Sequence, residues 1–327
     1  KNSKTVDGLV GRRRMNVPTE LSLSKLSLAQ TATVSHRGTL GLFPAGKKKK
    51  QKFLVGDDAG AVSCYEMKRG EAQEVFMYKT PSGEPILNLT LNMNEEMRDR
   101  MFASQGQSIF GVSKKGREVF RLVSNSTEAI REMVVNDLLI YTGGDYTFQL
   151  FDNAADAGYL MCPDRINALA AIPRGLSGKT GRVTTDIVLA CNDRHLRVVR
   201  PNPPRSADLH QEHEVSSNIT CLTPYAALGE APGRLAYGTS TGGVGLLAVH
   251  DDMVERVFEQ ACDGRTSGVS VIATHDLTGD GVPDFLVARD DGRVQVLQRG
   301  GGGGGGERVK RAPRRSRSAF KVVEWAT

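Results

Sequence analysis

Between residues 53 and 298 one pattern of apolar and polar positions recurs six times. Each copy opens with three mostly apolar residues and then a small one, followed by a turn and a strand that alternates. The openings are Phe53-Leu54-Val55-Gly56, Met101-Phe102-Ala103-Ser104, Leu139-Ile140-Tyr141-Thr142, Val188-Leu189-Ala190-Cys191, Leu235-Ala236-Tyr237-Gly238 and Phe285-Leu286-Val287-Ala288. Successive copies start 48, 38, 49, 47 and 50 residues apart. A period of 40–50 residues built from short strands is the mark of propeller blades. A strand covered on both faces reads as a continuous apolar run, and a blade sandwiched between two neighbours has such strands. The small fourth residue suits a place where blades crowd together. The fold class this predicts is all-β, a WD40-like β-propeller.

Turn chemistry agrees. Asp58-Ala59-Gly60, Asp193-Arg194, Ser240-Thr241-Gly242 and Asp291-Gly292 fall where each hairpin is due, and Asp and Gly suit the positive φ that tight hairpins need. Val62-Ser63-Cys64, Leu196-Arg197-Val198 and Val294-Gln295-Val296 alternate as returning strands. Ile86–Leu91, Ile219–Thr223 and Val269–Thr274 read as inner strands, and Glu118–Leu122 and Val254–Glu259 as outer ones. Thr127–Val135 carries a short helical signal at a place where an inner strand is due.

The ends are different material. Residues 1–52 carry twelve Lys or Arg against two acidic groups, and residues 299–327 carry eight against two. With a whole-chain charge of +6, residues 53–298 are left at −10. The basic character belongs to the ends, and an acidic middle argues against a nucleic-acid-binding core. The domain reading is a basic disordered N-terminus over 1–20, a propeller over 21–298 with incomplete last blades, and a polyglycine and Arg-rich disordered tail over 299–327. No apolar run reaches the 18 residues that a membrane-spanning helix requires. Five cysteines, with no CxxC pair, read as buried free thiols of a reducing compartment.

Three stretches carry a family resemblance. The first runs from Val34-Ser35-His36 through Thr39–Pro44 to Val55–Gly60 and Met67–Ala72. The second is Leu189–Arg194 with Leu196-Arg197-Val198. The third is Asp276–Val282 with Asp284 and Arg289–Gly292. In this order they resemble the N-terminal propeller of the Bardet–Biedl syndrome 7 family of BBSome subunits, over about residues 21–298. The resemblance implies seven blades; six are recognisable, so the propeller reads as truncated and its sixth blade as lacking an outer strand. The family's coiled coil, appendage-like β domain and helical end are not seen in this sequence.

The resemblance also implies a function. The chain would be a non-catalytic interaction scaffold in the BBSome, a coat-like complex that carries membrane proteins to and from cilia. Its partners would be other BBSome subunits, a sister propeller subunit among them, and indirectly an Arf-like small GTPase and ciliary membrane-protein cargo. Membrane association would be peripheral, through the complex, and the location the cilium, its basal body and the cytoplasm. Two other readings stay open: a secreted or cell-surface calcium-dependent propeller adhesion protein, and a propeller enzyme, for which no nucleophile and base are placed.

Candidate site residues are few. Asp276, Thr278, Asp280 and Asp284 occupy positions 1, 3, 5 and 9 of a calcium-loop pattern, with Gly281 for the turn. Thr278 is a poor substitute for a carboxylate, so a hydrogen-bonded Asp turn competes with calcium as the reading. The basic loop Lys47, Lys48, Lys49 and Lys50 suits anionic lipid or plain solvent. His210 and His213 lie in a Pro-rich polar stretch read as a solvated loop. Gly178-Lys179-Thr180 lacks the glycine and the helix of a phosphate loop. No cofactor is expected apart from calcium.

Overall fold

The apolar triplets form the second strands of six blades, each hydrogen-bonded to the strand after its hairpin. The computed structural model describes residues 34–44, 51–69, 71–94, 97–176, 183–202, 206–226, 233–260, 266–277, 279, 281–299 and 320–325. Blade 1 contains β1 (Leu40–Phe43), β2 (Lys52–Gly56), β3 (Ala61–Lys68) and β4 (Glu71–Lys79). Blade 2 contains β5 (Asn88–Leu91), β6 (Arg100–Gln105), β7 (Ser108–Ser113) and β8 (Glu118–Val123). Blade 3 contains β9 (Glu132–Asn136), β10 (Leu139–Gly143), β11 (Thr147–Asp152) and β12 (Ala155–Met161). Blade 4 contains β13 (Ile166–Leu176), β14 (Val183–Cys191), β15 (His195–Asn202) and β16 (Ser206–Glu214). Blade 5 contains β17 (Ile219–Tyr225), β18 (Arg234–Thr239), β19 (Val244–Val249) and β20 (Val254–Gln260). Blade 6 contains β21 (Val269–His275), β22 (Asp284–Arg289), β23 (Val294–Arg299) and β24 (Phe320–Trp325). Every sheet is an antiparallel meander in chain order.

Burial follows the strand's place in the blade. All five residues of β10 are buried, while β4 and β8 are exposed or half-buried along their length. Second strands of blades 2 to 5 are covered by both neighbouring blades, those of blades 1 and 6 by one; outer strands face solvent. The inner strands touch in sequence, β1 with β5, β5 with β9, β9 with β13, β13 with β17 and β17 with β21. Hairpins turn where expected, with φ of +76° at Gly60 and +64° at Arg194. The small fourth residue has a reason in blade 1, where a Cβ on Gly56 would stand 2.7 Å from Cγ2 of Ile86 at the entry to blade 2. In blade 4 the fourth residue, Cys191, belongs instead to the core shared with blade 3.

Two expectations are corrected. The segment with a helical signal, Thr127–Val135, ends in the inner strand β9, because Met133 and Val135 are needed in the core between blades 2 and 3. The tail over 299–327 does contribute to a blade. Arg299 ends β23, and Phe320–Trp325 pairs antiparallel with it from Val294↔Trp325 to Arg299↔Phe320. The sixth blade thereby has its outer strand, and the bare hydrogen-bonding edge of β23 is covered. Residues 1–20 lie outside the described residues.

Five apolar cores sit at the five junctions between consecutive blades. Leu54, Val62 and Cys64 of blade 1 meet Met101, Phe110 and Val112 of blade 2. Cys221, Tyr225 and Leu246 of blade 5 meet Ile272, Phe285 and Val287 of blade 6. Among the described residues no such core joins blade 6 to blade 1, and a seventh blade is not described. The other face of blade 1 carries Leu40 and Leu42, 68% and 57% exposed, beside the stacked rings of Phe53 and Tyr65 at 5.3 Å. Blade 6 likewise leaves Val271 and Val294 exposed.

The two faces of blade 1 should therefore respond differently to truncation. Leu54→Ala is expected to cost about 2–5 kcal/mol. Leu42→Ala is expected to stay within about 0.5 kcal/mol of the parent. Urea unfolding midpoints of the two variants check this.

Candidate functional site

The inner strands surround a channel whose mouth forms a cavity of about 410 Å³. Its organising group is Arg37, in the segment that enters blade 1. The Arg37 guanidinium donates to the carbonyl oxygens of Thr220 in β17 and, at 3.3 Å, of Asn167 in β13. It also stands 3.9 Å from Oε1 of Glu132, the first residue of β9. One side chain from blade 1 thus ties to blades 3, 4 and 5.

Neighbouring blades are also laced directly. Asn88 Nδ2 donates to the carbonyl of Arg131 at 3.2 Å, and Asn167 Nδ2 to that of Ile219 at 3.3 Å. Asn218 Nδ2 donates to Oδ1 of Asn192 at 3.0 Å. Arg131 and Arg165 both pair with Asp145, at 3.0 and 3.1 Å. Inner strands expose side-chain and backbone polar groups to the channel, and these links satisfy them. Glu132 titrates unusually: burial pushes its carboxyl up to about 7, with the Arg37 charge pulling the other way. No local sequence pattern marks Arg37, whose carbonyl partners are 130 and 183 residues away.

The residues singled out in the sequence do not converge here. Asp276 accepts from the backbone N–H groups of Gly279 and Gly281 at 2.6 and 2.8 Å. Asp284, buried at the start of β22, accepts from the N–H of Leu277 at 3.1 Å. These two carboxylates hold the loop before β22 in its turn. Thr278 and Asp280 lie outside the described residues, as do Lys47, Lys48, Lys49, Lys50 and Gly178-Lys179-Thr180. His210 and His213 are corrected from loop to strand: both lie on β16. His210 Nε2 donates to the carbonyl of Asp251 at 2.8 Å, a link from blade 4 to blade 5.

One polar cluster was missed in the sequence. Asp193, His195 and Glu212 bring their ligand atoms within 4.8 Å of one another at the blade 4 hairpin. Arg197 sits among them, with its side chain 4% exposed. It contacts the Asp193 carboxylate at 3.1 and 2.6 Å and Glu212 at 2.6 Å. Its guanidinium holds the Asp193 carboxyl below the usual range. The Asp-x-His-x-Arg spacing is visible in the sequence, but Glu212 joins only because β15 and β16 pair Arg197 with it.

Two outcomes follow. Folded Glu132 keeps a proton that the unfolded chain releases above about pH 4.5. Its contribution to stability is therefore complete below that pH and is lost as the pH rises to about 7. Urea unfolding at pH 5 and 7.5 should show the parent losing on the order of 1–3 kcal/mol relative to Glu132→Gln over that interval. Calcium is expected to move the melting temperature by less than about 2 °C, because Asp276 and Asp284 already accept backbone N–H bonds. Thermal melts with millimolar calcium and with chelator read this.

Comparison with known proteins adds to the fold. The BBS7 beta-propeller family model matches residues 40–311. A mouse protein, "BBSome complex member BBS7", is 32% identical over 280 residues, 85% of this chain and 37% of its own length. A Caenorhabditis elegans protein, "BBSome complex member bbs-7", is 24% identical over 281 residues, again 37% of its length. The chain thus spans a little over a third of these relatives. Two crystal structures of BBS1N in complex with ARL6DN, soaked with lead or mercury, share the fold. Their TM-scores are 0.57 and 0.58 at 11% identity, over 81% of this chain and 78% of theirs. Six meandering blades, cores at their junctions and a family match from the first blade past the end of β23 lead to one assignment: this chain belongs to the BBS7 β-propeller family.

Proposed function

We propose that the chain serves as the propeller module of a BBSome subunit, a non-catalytic scaffold in the traffic of membrane proteins to and from cilia. The family match over residues 40–311 is the observation that carries this reading. The site chemistry is consistent with it. The guanidinium and amide groups of the channel mouth are spent on holding blades together. The carboxylates nearest one another at the blade 4 hairpin are ion-paired to Arg197.

In this reading the partners are other BBSome subunits, including a sister subunit with its own propeller. A small GTPase of the Arf-like class acts through the complex, a proposal supported by the BBS1N fragment solved with ARL6DN. Membrane-protein cargo is met by the assembly, and the chain reaches the ciliary membrane as part of it. A fold alone hosts many functions, so the test has to be of partners. Full-length tagged protein purified from ciliated cells is expected to bring the other BBSome subunits in comparable amounts, read by quantitative mass spectrometry. Recovery of the tagged protein without them overturns the reading.

A further inference from the structure

Holding the blades together takes only part of the polar surface at the channel mouth. Asp145 receives the Nε of Arg131 at 3.0 Å and the Nε of Arg165 at 3.1 Å, both on one oxygen, Oδ1. The two guanidiniums, one entering blade 3 and one entering blade 4, are thereby held side by side at the cavity of about 410 Å³. Among the described residues their terminal amino groups make no hydrogen bond, and the side chains are 44% and 52% exposed. The backbone that carries them is anchored. The N–H of Arg131 donates to the carbonyl of Gly143 at 2.9 Å, and the carbonyl of Arg165 accepts from the N–H of Asn192 at 2.8 Å.

The charge balance singles this mouth out. Arg37, Arg131 and Arg165 meet Glu132 and Asp145 there, three cations against two carboxylates. Residues 53–298 as a whole stand at −10. A concave site with an excess of one sign focuses the field and draws in the other sign, so an anion is favoured at the mouth and repelled by the rest of the disc. Glu132, whose carboxyl burial pushes up to about 7, opposes an incoming anion only when it is ionised. Two guanidinium forks suit a planar carboxylate, which takes parallel N–H···O bonds. The two resident carboxylates and the acidic disc penalise a doubly charged phosphate more than a singly charged carboxylate. At the rim Asn192 and Ser240 are exposed, and they offer an amide and a hydroxyl to the backbone of an extended segment.

We propose that the channel mouth binds an acidic segment of a partner protein chain, with one carboxylate of that segment clasped between Arg131 and Arg165. Each guanidinium keeps its Nε on Asp145 and turns its terminal amino groups to the ligand. Arg37 stays on the carbonyls of Thr220 and Asn167 and adds positive charge from the blade 1 side. The site needs the stacked blades, because its three cations enter from blades 1, 3 and 4. Which chain supplies the segment rests on the scaffold reading; the face and the chemistry that receive it do not.

Purified full-length protein is titrated at pH 7.5 and low salt into a short fluorescein-labelled Gly/Ser peptide with a central pair of glutamates, read by anisotropy. Saturable binding with a Kd on the order of 100 µM or below is expected, and the same peptide with glutamines in place of the glutamates should bind at least about tenfold more weakly. Arg131→Gln and Arg165→Gln, both at exposed side chains and checked for fold by their urea midpoints, should each weaken binding about tenfold. Arg131→Lys and Arg165→Lys, which keep the charge and lose the fork, should each weaken it about threefold. Glu132→Gln should tighten it about threefold. Arg117→Gln, on the hairpin between β7 and β8, should leave it unchanged. At matched ionic strength acetate should displace the peptide at a lower concentration than inorganic phosphate does. No saturation by about 1 mM, equal binding of the glutamate and glutamine peptides, or an Arg117→Gln loss equal to that of Arg131→Gln overturns the proposal. Phosphate displacing before acetate assigns the mouth to a phosphate ligand and overturns the carboxylate. Because purified protein and a synthetic peptide are used, a negative titration leaves BBSome membership standing, and recovery of the tagged protein without other subunits leaves a positive titration standing.

Discussion

A four-stranded blade has two apolar faces and can bury neither by itself. Everything else in this molecule follows from stacking blades so that each face meets another. Second strands such as β10 are covered on both sides, and for that reason their sequence shows no alternation. Outer strands such as β8 have no blade beyond them and carry exposed residues. The hydrophobic effect scales with area removed from water, so each junction adds its own share of stability. The five clusters divide the core into five such shares rather than one central mass.

Stacking also decides where polar groups end up. Inner strands converge on the channel, and their buried amides and carbonyls need partners. Those partners come from the next blade, as when Asn167 donates to Ile219, or from across the opening, as when Arg37 reaches Thr220. The same packing brings charges together away from the channel. Asp186, almost fully buried, is held between Arg174 and Arg200 at 3.3 and 3.2 Å. A carboxylate at that depth is tolerable because two guanidiniums and their hydrogen bonds replace its water. Arg197 on the neighbouring strand inverts the device, a buried guanidinium held between the carboxylates of Asp193 and Glu212.

Legibility in the sequence tracked the range of the interaction. The triplets were readable because two-sided burial leaves a local trace in consecutive residues. The hairpins were readable because Gly60 and Gly242 sit where φ is positive. Phe320–Trp325 is not legible as a strand, because it sits in a tail whose composition is dominated by glycine and arginine. This short run becomes a strand only with β23 as a partner. His210 and His213 looked like loop residues for a related reason. The prolines nearby suggest a turn, whereas the pairing of β15 with β16 holds both in a strand.

By itself the sequence determined the all-β class, the number of recognisable blades, the strand that each triplet forms and the family. These rest on periodicity and turn chemistry, which act over a few residues. Tertiary structure decided that Arg37 bridges blades 1, 3, 4 and 5, that Glu132 is half-buried beside it, and that Arg197 meets Asp193 and Glu212. Each of these depends on which strand or blade is brought opposite the residue. Hydrogen bonds and charges act through space, and a repeat that specifies strands leaves no local record of which side chains the stacking brings into contact.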